Sequence, residues 1–371
     1  MADKTSIAGN SFIAAGQIAP RLLGWYDAHH RDLPWRVPPA RGKAGVRPDP
    51  YHVWLSEVML QQTTVEAVKP YFSRFLALWP SVKKLAEADP DDLMKAWAGL
   101  GYYSRVRNLG KCAQMVVDHH DGRFPDDEAG LRALPGIGPY TAAAIAAIAF
   151  DHPAAVVDGN VERVVSRLYA VRTPMPAAKR EIRAHVEAMT PMQRPGDFAQ
   201  AMMDLGASLC SPKRPKCMLC PLNEDCVALA EGDPELYPVR APKVERPLRH
   251  GAAFIAVRHD GAVLLRKRPA KGLLAGMAEP PNSDWNSRQD GKTGKQAAPF
   301  TAAWRPAGAI SHVFTHFELS LGVWLAEGLD MPAPDGWWWS KPAALGGEAL
   351  PTVMKKAIAA ALPDAFRPKR G

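Results

Sequence analysis

Leu134-Pro135-Gly136-Ile137-Gly138-Pro139-Tyr140, running directly into the apolar stretch from Thr141 to Phe150, decides how the first two thirds of this chain fold. Two glycines two positions apart, framed by prolines and followed by a run without charge, read as a tight turn opening a buried helix. The amides of Gly136 and Gly138, close to that helix N-terminus, can hold a phosphate without side chains. An ordinary interhelical connection is the plainer alternative. A dinucleotide-binding turn is excluded, because no strand precedes it and no third glycine follows.

Outward from the turn the periodicity is helical. Apolar residues recur at three and four around Leu22, Leu23 and Tyr26, and through Val53 to Leu60, Tyr71 to Leu78, Val106 to Val117 and Val161 to Tyr169. An all-α region with short connections is therefore expected up to about residue 208. Past residue 226, Pro234, Pro238, Pro242 and Pro247 mark a stiff, extended linker. Beyond it, Ala252 to Val257 and Ala262 to Leu265 flank His259-Asp260-Gly261, a hairpin signal. Residues 312–326 read as further strand, Thr352 to Leu362 as a closing helix, and Asn282 to Gln296 as a mobile polar loop nearly free of core residues. The second region is α+β.

At 371 residues, 47% hydrophobic and 23% charged, the chain is globular and long enough for two domains. Its apolar run from Thr141 to Phe150 falls short of the roughly 20 residues that a bilayer crossing needs. Asn10, Ser11 and Gln17 interrupt any signal-peptide core, so a cytosolic protein without a membrane partner is expected. The net charge of +8 points to a polyanionic partner. Residues 1–240 hold 28 basic and 27 acidic side chains, whereas residues 241–371 hold 18 and 11, so the excess sits at the C-terminal end.

Cys210, Cys217, Cys220 and Cys226 follow the spacing C-x6-C-x2-C-x5-C. Disulfides are disfavoured in the cytosol. Structural zinc usually takes two C-x2-C pairs on separate knuckles, and here there is one pair in one loop. Four thiolates in a single loop suit a [4Fe–4S] cluster, with zinc or unmetallated thiols as alternatives. Lys213, Arg214 and Lys216 would present cations beside it, and Cys112 reads as a buried apolar residue.

Two carboxylates stand out. Glu57 lies within the apolar Trp54 to Leu60, ahead of Gln61, Gln62 and Thr63. Burial there would disfavour its ionised form and make it a general acid; the plainer reading is the exposed face of an amphipathic helix. Asp158, before Gly159 and Asn160, is either a helix N-cap or a reacting carboxylate.

Taken jointly, Leu33-Pro34-Trp35-Arg36, Ser56 to Thr63, Gly99-Leu100-Gly101-Tyr102-Tyr103, the turn at 134–138, Val157 to Val161, Met202 to Gly206 and the cysteine loop carry a resemblance. They resemble the helix-hairpin-helix and Gly/Pro-Asp superfamily of DNA glycosylases, and within it the MutY-type adenine glycosylases. The resemblance implies an all-α helix-hairpin-helix glycosylase domain over 1–230, with its [4Fe–4S] loop at 210–226. It further implies a linker at 231–249 and an α+β Nudix-like domain over 250–371. Where bifunctional relatives of the endonuclease III type carry a lysine two residues after the second hairpin glycine, this chain has Tyr140, so a monofunctional enzyme is expected.

By the same resemblance, Glu57 protonates adenine at N7, Asp158 stabilises the oxocarbenium-like sugar, and Asn160 and Tyr140 position these groups. Gln62 and Tyr102 wedge beside the opposite base, with Gln61 and Thr63 nearby. Phe314, Thr315 and His316 read 8-oxoguanine; a serine is usual at the Thr315 position, and an alternating strand with Val313, Thr315 and Phe317 on one face is the plainer alternative. The expected partner is double-stranded DNA bearing adenine opposite 8-oxoguanine or guanine, bound by a monomer. No Nudix box is present: only Glu279, Asp284 and Asp290 are acidic between Gly276 and Trp304, too few to gather Mg²⁺ for pyrophosphate hydrolysis. Residues 37–48 insert a basic, proline-rich stretch that either touches DNA or extends a loop.

Overall fold

The structure is a computed structural model that describes residues 15–242 and 245–367; Asn10, Ser11, residues 243–244 of the linker and 368–371 lie outside the described residues. In chain order the helices are α1 (Ala15–His29), α2 (Pro39–Lys43), α3 (Pro50–Leu60), α4 (Val65–Leu78), α5 (Val82–Ala86), α6 (Pro90–Trp97), α7 (Ser104–His120), α8 (Glu128–Ala133), α9 (Pro139–Phe150), α10 (Gly159–Leu168), α11 (Lys179–Met189), α12 (Pro195–Ser208) and α13 (Val227–Ala230). Strands β1 (Leu248–Arg258), β2 (Val263–Lys267), β3 (Ala278–Glu279), β4 (Arg305–Val313), β5 (Glu318–Leu329) and β6 (Trp337–Ser340) follow, with α14 (Pro342–Leu345) and α15 (Thr352–Ala361). The chain forms two compact units, residues 15–61 with 115–242 and residues 62–114 with 245–367.

In the first unit α9 is buried from Thr141 to Ala149. A helix without a polar face needs neighbours all round, and α3, α8 and α12 supply them. Pro139 occupies its first turn, where the missing amide costs nothing. Gly136 takes a φ of 78°, which favours glycine, and makes the turn before α9. Gly138 is the N-cap at φ −87° with open space where a Cβ would lie, so the tight backbone is Gly136's alone. Helix α12 packs on α1, α9 and α10. A Cβ on Gly206 would meet the Cβ of Asn160 at 2.6 Å, so that glycine is what lets α12 approach the start of α10.

In the second unit Phe72, Phe75 and Trp97 form the buried centre of the helical part, with Trp97 edge-on to Phe75 at 5.7 Å between ring centres. The sheet runs β3-β2-β1-β5-β4, with β6 also pairing with β2. Strands β1 and β5 are parallel and the other pairs antiparallel, giving a mixed sheet. Strand β1 is buried from Gly251 to Val257, as a strand covered on both faces must be. Helix α15 lies on this sheet through Val353, Met354, Ala357 and Ile358.

Two expectations for this region are corrected. Residues 312–326 are not one strand: β4 ends at Val313, the Phe314 amide donates to the Phe317 carbonyl at 2.8 Å, and β5 begins at Glu318. Of Val313, Thr315 and Phe317 only Phe317 is buried, so the turn breaks the alternation. The polar segment after Asn282 is anchored, because Trp285 joins the sheet core and Ser283 Oγ accepts the Ala252 amide at 2.9 Å. Among the described residues no helix is long and apolar enough to cross a membrane.

Candidate functional site

Helix α3 is apolar on nearly every side, and its one acidic side chain, Glu57, is 5% exposed. The Tyr140 hydroxyl, on the first turn of α9, donates to Glu57 Oε2 at 2.6 Å. Burial pushes the Glu57 carboxyl up to about 7; the Tyr140 hydrogen bond opposes this, the Asp158 charge adds to it, and the Arg36 guanidinium opposes it. The exposed-face reading is thereby replaced by a carboxylic acid poised to give up a proton near neutral pH. The Tyr140 hydroxyl is itself held protonated by burial and by the charges of Glu57 and Asp158, and it therefore acts as a donor.

Asp158 is the N-cap of α10, where Oδ1 accepts the Val161 amide at 2.7 Å. Its other oxygen accepts from Asn160 Nδ2 at 2.9 Å. The two readings of Asp158 coexist, since capping fixes the carboxylate while its charge still reaches Glu57. Asn160 is oriented in turn by Arg163, whose Nη2 donates to Asn160 Oδ1 at 2.9 Å and to the Gly206 carbonyl at 2.7 Å. Arg163 Nε donates to the Cys210 carbonyl at 2.7 Å, which joins the carboxylate to the cysteine loop through one side chain.

Behind Glu57 lies an ionic group that sequence reading passed over. Asp204, 1% exposed, receives Arg36 Nη1 at 2.8 Å, Arg31 Nε at 2.6 Å and the Arg31 amide at 3.0 Å. Arg36 and Asp204 both stand within the quoted motif segments, and a charge inside the apolar Met202 to Leu205 run was the available signal. Arg163 and Arg167 gave none beyond their spacing on α10.

The four cysteines converge without disulfides. Burial raises the Cys220 thiol, Cys210, Cys226 and Cys217 each raise it further, and Cys210 likewise adds to the burial that raises Cys217 and Cys226. Arg167 braces the loop, with Nη1 3.3 Å from Cys210 Sγ and donating to the Ser211 carbonyl at 2.7 Å, and with Nη2 donating to the Pro212 carbonyl at 3.0 Å. Among the described residues no three His, Cys, Asp or Glu side chains are gathered tightly enough for a single ion. Lys213, Arg214 and Lys216 are exposed. Cys112 is fully buried, its thiol pushed up to about 12.

The remaining residues fall in three places. Gln61 donates to Thr141 Oγ1 at 3.2 Å, beside the start of α9, and Gly136 and Gly138 lie in the turn before it. Gln62, Thr63 and Tyr102 belong to the second unit; Gln62 and Tyr102 are exposed, and Arg105 Nη2 reaches Thr63 Oγ1 at 3.3 Å. Thr315 and His316 are exposed at the β4–β5 turn, while Phe314 stacks on Phe317 at 4.6 Å.

Comparison with known proteins bears on this geometry. Residues 55–191 match the HhH-GPD superfamily of base excision DNA repair proteins, and residues 252–360 match the NUDIX domain. The chain is 38% identical over 249 residues to an adenine DNA glycosylase of Buchnera aphidicola, covering 66% of this chain and 68% of that one. It is 35% identical over 394 residues to the adenine DNA glycosylase of Homo sapiens, covering 90% of this chain and 72% of that one. The chain belongs to the adenine DNA glycosylase family. Adenine DNA glycosylases are hydrolases of N-glycosyl bonds in base excision repair, and DNA is the partner on which this enzyme acts. Among solved structures, a thermostable thymine-DNA glycosylase is similar at 27% identity and a TM-score of 0.51, over 58% of this chain and 95% of that one.

Proposed function

We propose that this adenine DNA glycosylase acts on adenine opposite 8-oxoguanine, and also opposite guanine, as a monofunctional monomer in the cytosol on nucleoid DNA. The observation that carries the reading is Glu57, buried, held near 7, bonded to Tyr140 and within electrostatic reach of the Asp158 carboxylate. Adenine is a poor leaving group, and positive charge develops on the sugar as it departs. The Glu57 proton passes to adenine N7, the C1′–N9 bond breaks, and its electron pair leaves with the base. The Asp158 carboxylate stabilises the oxocarbenium-like sugar that remains. Water then adds to C1′, and the proton it loses returns to Glu57. Asn160 and Tyr140 hold the two carboxyl groups in register, and Tyr140 offers no amine for an imine with the sugar.

Reaching the bond requires the adenine to leave the helix. Gln62 and Tyr102 are read as the wedge that fills the gap, with Gln61 and Thr63 beside it, and the amides of Gly136 and Gly138 as a phosphate grip. Phe314, Thr315 and His316, displayed on a turn, are read as the contact with 8-oxoguanine. Cys210, Cys217, Cys220 and Cys226 are read as the ligands of a [4Fe–4S] cluster, which when bound supplies four iron–sulfur bonds that fix the 210–226 loop. Functionally, residues 1–230 are the catalytic region, 231–249 the connection and 250–371 the lesion reader.

Base release from three duplexes tests the reading: adenine opposite 8-oxoguanine, adenine opposite guanine, and thymine glycol opposite adenine. Release from the first two only, without a borohydride-trapped adduct, is expected; release of thymine glycol with trapping would overturn it.

A further inference from the structure

Gln62 and Tyr102 share an uncommon backbone. Their φ angles are 57° and 45°, in the left-handed region that side chains other than glycine disfavour. Each therefore sits at the apex of a sharp turn, and something must hold both turns in place. One side chain does touch both. Arg105 Nη2 lies 3.3 Å from Thr63 Oγ1, next to Gln62, and donates to the carbonyls of Leu100 at 2.9 Å and Gly101 at 3.2 Å, next to Tyr102. Its guanidinium also lies over the Trp97 ring at 5.1 Å and the Tyr102 ring at 5.6 Å.

Helix electrostatics do not explain this placement. Arg105 is the second residue of α7, where the positive end of the helix dipole disfavours a cation. It is also 8% exposed, so its charge has given up most of its water. Burial lowers its pKa only to about 10, so the cation persists at neutral pH. What the position offers is two turns within reach of one guanidinium nitrogen, on a planar group that also lies over two aromatic rings.

We infer that Arg105 is the positioning residue of the wedge: its guanidinium ties the turn bearing Gln62 to the turn bearing Tyr102, so that both side chains are presented together. The inference rests on the reading of Gln62 and Tyr102 as the wedge. A lysine at 105 keeps the charge but has no flat group to lie over the Trp97 and Tyr102 rings, so nothing fixes its donor where Arg105 Nη2 meets the Thr63 hydroxyl and the carbonyls of Leu100 and Gly101. The wedge turns would then move independently, and extrusion of the base would suffer while the acid at Glu57 stayed as it is.

The experiment uses the full-length enzyme and a duplex with 2-aminopurine at the adenine position opposite guanine, read by the fluorescence rise on binding. Single-turnover excision of adenine is measured alongside, in that duplex context and opposite an abasic gap, where no partner base has to be displaced. Arg105→Lys is expected to lower excision from the mispaired duplex by about tenfold or more, the rate equivalent of one charge-assisted hydrogen bond. The loss should shrink on the gapped duplex, and the fluorescence rise should fall. Thr63→Val, which removes one arm of the bridge and keeps the fold, should give a smaller loss of the same kind. Equal losses on both duplexes, or an unchanged fluorescence rise, would overturn the role of Arg105. Tyr102→Ala and Gln62→Ala separate the two ideas: if neither lowers the fluorescence rise, the wedge reading itself fails; if they lower it and Arg105→Lys does not, only the bridge fails.

Discussion

At the scale of single residues, the proposed chemistry depends on one proton. Glu57 has its carboxyl raised to about 7, above its ordinary value of 4.5, so the acid form is populated at neutral pH and is lost as pH rises through 7. Single-turnover excision should therefore fall above about pH 7, and a rate that kept rising to pH 9 would contradict the general acid. Between the ordinary value and 7 the folded chain binds a proton that the unfolded chain has released, so this residue's contribution to stability declines as pH rises through that window. Tyr140→Phe removes the hydrogen bond that favours the ionised form. Its falling limb should move to higher pH while the rate itself drops, and a shift to lower pH would reverse the assigned role. Glu57→Gln should cost about 10²- to 10⁴-fold in excision, the usual worth of a general acid, with DNA binding retained in a mobility-shift titration.

At the scale of elements, placement depends on close approach. Gly206 lets α12 meet Asn160, and Gly206→Ala forces a Cβ into a 2.6 Å contact with that residue's Cβ. Overpacking of this kind costs about 1–3 kcal/mol. Both the melting temperature and the excision rate should drop, because Asn160 orients Asp158; an active but less stable variant would show that Asn160 is not a positioning group. Much of this level was legible in the sequence. The charge-free run after Gly138 announced a central helix, and the glycines announced the turn before it. What escaped was long-range pairing between polar groups. Asp204 finds Arg31 and Arg36 from 168 positions away or more, and no periodicity within either segment reports such a meeting. The hairpin at Phe314 was hidden because its flanks alternate like one strand, and Trp285 because a single aromatic does not outweigh its polar neighbours in a composition-based reading.

At the scale of the whole molecule, charge is unevenly spread. Residues 241–371 carry an excess of seven positive charges, whereas residues 1–240 carry one. Every cation withdrawn from a DNA phosphate lowers the slope of log affinity against log salt by about 0.9. Neutralising exposed lysines and arginines of 245–367 should flatten that slope, whereas the same number of changes among exposed cations of 115–208 should alter it less. Phe314→Ala and His316→Ala should leave the slope unchanged and lower the preference for 8-oxoguanine over guanine opposite adenine; an unchanged preference would remove these residues from lesion reading.

The N-cap of α10 has a consequence for how this protein tolerates mutation. Asp158 opens a helix as its N-cap and, in the proposed mechanism, carries the charge that stabilises the sugar, and these duties have different substitutes. Asparagine, serine or threonine can cap, whereas alanine forfeits about 1 kcal/mol of the fold. A library at position 158 scored only for soluble expression should thus retain a narrow set of short polar residues, even with no substrate present. Scoring the survivors for repair would then narrow that set to aspartate. Folding filters the position before catalysis does, so inherited variation there would be thinned twice, by two unrelated pressures acting on one side chain.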